Sequence, residues 1–250
     1  MISVTILTRN SQTYLEEVLQ SVSSLDEVLL YDTGSKDNTF EIAKKFPNVK
    51  IVEAPFVGFG PTHNLASEAA KNEWILSLDS DEVATPKMIQ EILSTQLENQ
   101  CVYSFPRNNY FNGKFIKWCG WYPDRQYRLY NKTKTKFTDA QVHESIMLDN
   151  MKHVQMKEPF IHYSYASISD FIQKMQFYSD LFAKQNKGKK KSSLLKALSH
   201  GSFAFIKSYI LKRGFLGGYE GFVISAYNGH TAYYKYLKLY EANNSCKIRR

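Results

Sequence analysis

The sequence predicts an α/β fold, a largely parallel sheet covered by helices on both faces, followed by a basic, aromatic helical extension. Three observations predict it. Through the first hundred residues or so, short apolar runs alternate with helical stretches, the β-α-β-α order of a parallel sheet. After Cys101 the pattern changes to strand-like runs, and from Ile168 onward it turns helical. From Phe182 to Arg250 the chain carries 14 Lys or Arg against only Glu220 and Glu241, a local charge of +12, so residues 1–181 sum to −4 of the total of +8. An acidic front and a basic, aromatic tail imply two different jobs.

Each element follows in turn. Ile2–Thr8 reads as a buried strand, and Thr13 with Glu16 forms a capping-box pattern that opens a helix through Val22. Val28–Asp32 is a second apolar run, and Asn38 with Glu41 is another capping-box pattern before Ile42, Ala43 and Phe46. Lys50–Glu53 is a short strand, Pro55–Pro61 a Gly/Pro-punctuated loop, and Thr62–Ala70 a helix. Trp74–Leu78 is a strand running directly into Asp79-Ser80-Asp81, and Thr85-Pro86 supplies a cap and a first-turn proline for the next helix. Asn112-Gly113, between Tyr110-Phe111 and Phe115-Ile116, is a hairpin signal. Gln126–Tyr130 and Phe160–Tyr163 read as further strands, and the helical remainder breaks at Lys187–Ser193 and around Gly214–Gly221. The division expected is one domain over residues 1–165, changing character near residue 100, and a basic, aromatic helical extension over 166–250.

With 250 residues, 43% hydrophobic and 14% aromatic, the chain has the composition of a folded protein with a sizeable core. Cys101, Cys119 and Cys246 form no CxxC pair, which argues against a disulfide framework or structural zinc and favours a reducing cytoplasm. The apolar start, Met1 to Leu7, lacks a basic leader and a cleavage site, so a strand is expected there rather than a signal peptide. Lys or Arg interrupts every apolar run before it reaches spanning length, so a soluble or peripheral protein is expected.

In a parallel sheet, ligands bind outside the carboxyl ends of the strands. Thr8, Asp32 and Asp79–Asp81 all fall at such ends and are expected to converge on one crevice. Asp79 and Asp81, two residues apart at a strand end, can share a divalent cation and its phosphates; hard oxygen ligands suit Mg²⁺ or Mn²⁺. At the second strand tip, Asp32 could accept hydrogen bonds from a nucleobase edge, while Gly34 lets the backbone turn close to a ligand. Asp37 either contacts the ligand or caps the next helix.

These motifs resemble glycosyltransferase family 2, which has the GT-A fold. The resemblance rests on Thr8-Arg9-Asn10, the run from Asp32 through Gly34 and Ser35 to Thr39, Gly58-Phe59-Gly60 followed by Asn64, and Trp74 to Glu82. More narrowly, Trp121 to Tyr130 and Val142-His143-Glu144 look like the lipopolysaccharide-core subgroup. The resemblance implies that Thr8 and Asn10 line the nucleotide pocket and that Asp32 reads a uracil-like base. It further implies that Asp79 lies near ribose and metal, and that Asp81 binds the cation bridging the diphosphate. Many relatives carry Arg immediately before the Asn64 position; His63 stands there in this chain, a weaker and pH-sensitive phosphate partner.

Such enzymes commonly invert the anomeric centre in a single displacement, with a carboxylate taking the acceptor proton. Glu144, beside His143, is the first candidate for that base and Asp124 the second. Arg128 either holds a phosphate or an acidic acceptor bidentately, or sits in a simple salt bridge. Trp121, with Trp118 and Tyr122, forms either a sugar-stacking wall or ordinary core. His162 is either a third metal ligand or a core histidine.

The Lys187–Ser193 stretch followed by Leu194, Leu195, Leu198, Phe203 and Phe205 fits docking on an anionic membrane surface. No nucleic-acid-binding module accompanies it, so no nucleic acid is expected as a partner. The expectation is therefore a cytoplasmic enzyme, peripheral on the inner face of the membrane. It moves a sugar from a UDP-type donor to a glycolipid acceptor of lipopolysaccharide-core type. Two rivals are a sugar nucleotidyltransferase, which Thr8-Arg9-Asn10-Ser11 disfavours by lacking a glycine-rich phosphate loop, and a non-catalytic membrane or nucleic-acid adaptor.

Overall fold

The structure is a computed structural model and describes residues 1–140 and 144–248, apart from the side chains of 245–248. The chain divides into two compact units, Met1–Asn108 with Asp124–His162, and Asn109–Pro123 with Tyr163–Arg250. The expected boundary after residue 165 moves to His162, and the hairpin segment groups with the C-terminal helices rather than with the sheet that precedes it.

The first unit begins with β1 (Ile2–Thr8), α1 (Leu15–Ser21), β2 (Glu27–Asp32), α2 (Thr39–Ala43), β3 (Val49–Glu53), α3 (Phe59–Ala69) and β4 (Trp74–Asp79). In β1 the side chains of both faces are buried, Ile2, Val4, Ile6 and Thr8 on one and Ser3 and Thr5 on the other, as expected of a strand covered on both sides. β1 pairs in parallel with β2 and with β4, and β2 pairs in parallel with β3. The register sets Thr8 opposite Asp32 and Leu7 opposite Asp79. The carboxyl ends of three strands are therefore level with one another, which is what brings their loops together.

The chain continues through β5 (Glu82–Ala84), α4 (Pro86–Ser94), β6 (Cys101–Phe111), β7 (Lys114–Phe115), β8 (Arg125–Asn131), β9 (Lys152–Gln155) and β10 (Phe160–Tyr165). β8 runs antiparallel to β4 and to β6, and β10 antiparallel to β5, so the sheet is parallel across β3-β2-β1-β4, turns antiparallel at β8 and β6, and gains one more parallel pair where β9 joins β6. Leu29, Ile75, Val102 and Tyr130 form a core under α3, and the Tyr130 hydroxyl shares a 2.6 Å hydrogen bond with Ser67 Oγ. Burying each such aliphatic side chain contributes roughly 1.5–3 kcal/mol.

Helix starts divide instructively. Thr85 caps α4 as the sequence predicts, its Oγ1 accepting from Met88 N at 3.2 Å with Pro86 in the first turn. Thr13 does not cap α1: the helix begins after Tyr14, with no side-chain cap bond, because Gln12 N is tied to Asp37 Oδ2 at 3.1 Å and the chain turns before entering the helix. Asn38 precedes α2 but makes no cap bond either; Asp37 accepts from Thr39 N (3.1 Å) and Oγ1 (2.5 Å), so Asp37 holds that turn.

In the second unit, Asn112 (φ 53°) and Gly113 (φ 71°) form the expected tight hairpin turn, with Tyr110 paired to Phe115. α5 (Ile168–Asn186) starts from a capping box of Ser167 and Asp170. α6 (Leu194–Ile206) leads through a π turn at Lys207–Leu211 and a 3-10 turn at Gly214–Gly217 into α7 (Gly218–Ile248). Phe111, Ile116, Cys119, Phe171 and Ile224 make the core of this unit. Glu220, 2% exposed, accepts from Asn112 Nδ2 at 2.7 Å and Lys114 Nζ at 2.9 Å, anchoring the hairpin to α7. No helix among the described residues is long and apolar enough to cross a membrane.

Candidate active site

The level strand ends of the first unit produce one cluster of loops. Asp32 closes β2, and its carboxylate is filled by the protein: Oδ1 accepts from Gly34 N and Ser35 N at 2.8 Å each, and Oδ2 accepts from Thr8 Oγ1 (2.9 Å) and Ser35 Oγ (2.5 Å). Burial opposes ionisation of Asp32, but the bonds from Ser35, Gly34 and Thr8 outweigh it and hold the carboxyl below its ordinary range. Gly34 adopts φ 105°, with open space where a Cβ would lie. Four accepted bonds saturate a carboxylate, and Asp32 is 1% exposed. In this arrangement Asp32 organises the loop and presents backbone and hydroxyl groups at its surface. Asn10, at φ 55°, locks onto the same loop, its N–H donating to Ser35 Oγ and its Oδ1 accepting from Lys36 N, both at 2.8 Å. Ser11 Oγ reaches Ser80 Oγ at 3.0 Å, so the loops after β1, β2 and β4 meet.

A chain of charges runs on from there. Asp79 Oδ2 accepts from Arg128 Nη2 at 2.7 Å, and the same nitrogen donates to Glu82 Oε1 at 2.5 Å. Arg107 Nη1 lies 3.6 Å from Glu82 Oε1, and its Nε donates to Asp124 Oδ2 at 2.7 Å. Three carboxylates thus share two guanidiniums. Glu82 is fully buried, and burial raises its carboxyl to about 8, with Asp79 adding to the rise and Arg128 opposing it. Partial desolvation works against ionisation of Asp79, but Arg128, then His63 and His162, hold its carboxyl well below the usual carboxylate range. The outcome is an ionised Asp79 at the rim and, behind it, a Glu82 whose burial favours the protonated form. Arg128, 7% exposed, pairs with these two acids, which favours the salt-bridge reading of this residue.

Asp81 and His162 face each other, Oδ2 to Nε2 at 3.7 Å. No group of three or more His, Cys, Asp or Glu positioned to hold a metal occurs among the described residues. One or two carboxylates with substrate phosphates are enough for Mg²⁺, so the oxygen and imidazole donors present fit a divalent ion completed by a diphosphate.

His63 is 2% exposed, stacks on Phe137 with centroids 4.4 Å apart, and has Nδ1 3.3 Å from Ser77 Oγ. Burial pushes its imidazole down to about 4, so it is a neutral core residue and not a phosphate partner. Asn64, expected at the nucleotide, has both ends of its amide on the Phe137 backbone, donating to its carbonyl at 3.0 Å and accepting from its N–H at 2.8 Å. That clamp docks the 137–140 strap against α3, where a Cβ on Gly60 would come within 1.8 Å of the Thr138 carbonyl oxygen. Glu144 is half-buried, next to Ser145, whose carbonyl accepts from Thr138 N at 2.9 Å. His143 lies outside the described residues. Trp121 belongs to the second unit, packed on Tyr165 (5.8 Å) and Phe171 (6.3 Å), which favours the core reading.

Glu82 and Arg107 escaped the sequence reading. Glu82 carried a signal nonetheless, a third acid within four residues at a buried strand; Arg107 carried none until β6 and β8 were paired.

The model of the family described as Glycosyl transferase family 2 matches residues 3–151. The chain is 28% identical over 265 residues to an uncharacterized glycosyltransferase of Rickettsia bellii (strain RML369-C), covering 98% of this chain and 88% of that protein. It is 22% identical over 254 residues to the lipopolysaccharide core biosynthesis glycosyltransferase LpsC of Rhizobium meliloti (strain 1021), covering 96% and 92%. Among solved structures, the mannosyltransferase PcManGT from Pyrobaculum calidifontis, in complex with GDP-Man and Mn²⁺, matches in fold with a TM-score of 0.53 at 13% identity, covering 95% of this chain and 86% of that one.

Proposed function

We propose that this chain, which belongs to glycosyl transferase family 2 and is a GT-A glycosyltransferase using nucleotide sugars, moves one sugar from a UDP-type donor to a glycolipid acceptor of lipopolysaccharide-core type. The observation that carries the reading is the meeting of three strand-end loops, Thr8 bound to Asp32 at 2.9 Å and Ser11 to Ser80 at 3.0 Å, beside ionised Asp79. The acceptor type draws on the likeness to LpsC.

In this reading Thr8, Asn10, Gly34 and Ser35 cradle the nucleotide and Asp79 lies by the ribose. Asp81 and His162 would hold Mg²⁺ or Mn²⁺, which supplies charge neutralisation at the departing diphosphate. Arg128 keeps Asp79 ionised and fixed, and Arg107 holds Asp124 in place through its 2.7 Å bond. The acceptor oxygen bonds to the anomeric carbon as the carbon–oxygen bond to the diphosphate breaks, with inversion. Glu144 takes the acceptor proton, with Asp124 the alternative base.

The same reading keeps the enzyme in the cytoplasm and on the inner face of the membrane, through the second unit. Its support is that Leu195 (78%), Leu211 (64%) and Phe203 (59%) are exposed in a stretch that follows Lys187, Lys189, Lys190 and Lys191.

Release of UDP from UDP-sugars with Mg²⁺ or Mn²⁺, stimulated by glycolipid acceptor, tests the proposal. No release from any UDP-sugar, with release from a GDP-sugar instead, would overturn the donor assignment. Formation of a nucleotide sugar from nucleoside triphosphate and sugar phosphate would point to the nucleotidyltransferase rival. Equal flotation with neutral and anionic vesicles at low salt would remove the anionic surface.

A further inference from the structure

The second unit contains a cavity of about 570 Å³ whose polar wall is formed by Lys207, Lys212 and Lys235 with Ser208, Asn228 and Thr231. The Phe182 ring closes its apolar side. We propose that this cavity binds a phosphate group carried by a larger molecule, held by the three ammonium groups and the Thr231 hydroxyl. The proposal does not depend on the donor site or on its metal.

Three observations carry it. No carboxylate lines the cavity, and none of the three lysines has an acidic partner among the described residues. Of the acids nearby in sequence, Asp180 pairs with Lys238 at 2.7 Å and Glu220 with Lys114 at 2.9 Å, while Glu241 does not line the cavity. A fourth cation joins the edge, since Lys190 and Lys235 lie 5.6 and 5.7 Å from the same Phe182 ring. Cations gathered without a counter-charge repel one another, and an anion supplied from outside removes that cost.

Second, Thr231 Oγ1 is buried with no hydrogen-bond partner, although Thr231 lines the cavity. A buried hydroxyl lacking a partner is unfavourable, and an oxyanion oxygen would satisfy it. Third, the wall is fixed: Ser208 Oγ accepts from Ser225 Oγ and from Asn228 Nδ2, both at 3.0 Å. A volume of about 570 Å³ is far more than one phosphate occupies, so the ligand carries a further group. Exposed Ile210 and Leu211, in the turn that bears Lys207 and Lys212, favour a lipid headgroup as its source.

The test is the rate of amine acylation, read lysine by lysine by mass spectrometry on the full chain, with Lys50 and Lys134 as references. The probes are inorganic phosphate, phosphatidic acid vesicles and phosphatidylcholine vesicles. Phosphatidic acid should slow acylation of Lys207, Lys212 and Lys235 several-fold beyond phosphatidylcholine. Slowing by inorganic phosphate as well would mean that free phosphate compounds also enter; slowing by the vesicles alone would make the headgroup the source. Thr231→Val should raise the half-protecting concentration roughly tenfold, the loss of one hydrogen bond to a charged group. Thr231→Ser should restore it, and UDP release should be unchanged in both. Equal slowing by the two vesicle types, or identical protection of wild type and Thr231→Val, would overturn the proposal.

Discussion

The two units handle charge in opposite ways. In the first, guanidiniums and carboxylates are drawn inward and matched, Arg128 to Asp79 and Glu82, Arg107 to Asp124. In the second, among the described residues, only Lys114 and Lys238 pair with an acid, and Leu195, Phe203 and Leu211 are exposed. Matched burial fixes side chains to within a hydrogen bond and sets their protonation, which is what chemistry on a small charged donor needs. Unmatched exposure fixes nothing and attracts large anionic partners over a Debye length. The difference teaches that net charge is a poor guide here: the +8 of the whole chain describes neither unit.

The contrast breaks most readily at the proposed base. Glu144→Gln should lower the rate of sugar transfer by about 10²–10⁴-fold, while UDP affinity by calorimetry stays near wild type; undiminished turnover would transfer the role to Asp124. Next in size is Arg128→Met, which leaves Asp79 and Glu82 without their shared cation and should cost about 3–5 kcal/mol in urea unfolding. An unchanged midpoint would mean that the pairing in the first unit is incidental.

A finer effect concerns pH. Glu82 rises from an ordinary 4.5 to about 8 in the folded chain. The folded state therefore holds a proton that the unfolded state has released across that interval, and stability should fall as pH rises through it. The slope is at most about 1.4 kcal/mol per pH unit. Glu82→Gln should flatten it, as followed by thermal midpoints from pH 4.5 to 8; a slope unchanged by the substitution would put the titration elsewhere. Smallest of all, Lys189→Gln should weaken binding to anionic vesicles by about 1 kcal/mol at low salt and by much less at high salt. A loss that ignores salt would mean that the second unit binds through its apolar groups alone.

Local chemistry made much of this fold legible in advance. Thr85-Pro86 and Asn112-Gly113 act through their own backbones, so four residues suffice to read them. The crevice was legible because Thr8, Asp32 and Asp79 each end an apolar run, and parallel register does the rest. β5 and β9 were not, because strands of three and four residues are too short to show a period. The partners of Arg128 depend on β4, β5 and β8 coming together from across the chain, and no local pattern encodes that. Asp32 shows the limit from the other side: its position was read correctly, but its bonding state needed Thr8 and Ser35 in place.

The path of the chain has a consequence for how this protein can be cut or recombined. It leaves the first unit at Asn109, returns at Asp124 and leaves again at Tyr163. A truncation after residue 165 would strip Glu220 from Asn112 and Lys114, and leave Phe111, Ile116 and Cys119 without Phe171 and Ile224. Grafting the C-terminal helices onto a related enzyme would fail for the same reason unless residues 109–123 travelled with them. The second unit therefore travels as two separate stretches of sequence, and only their joint transfer preserves its core.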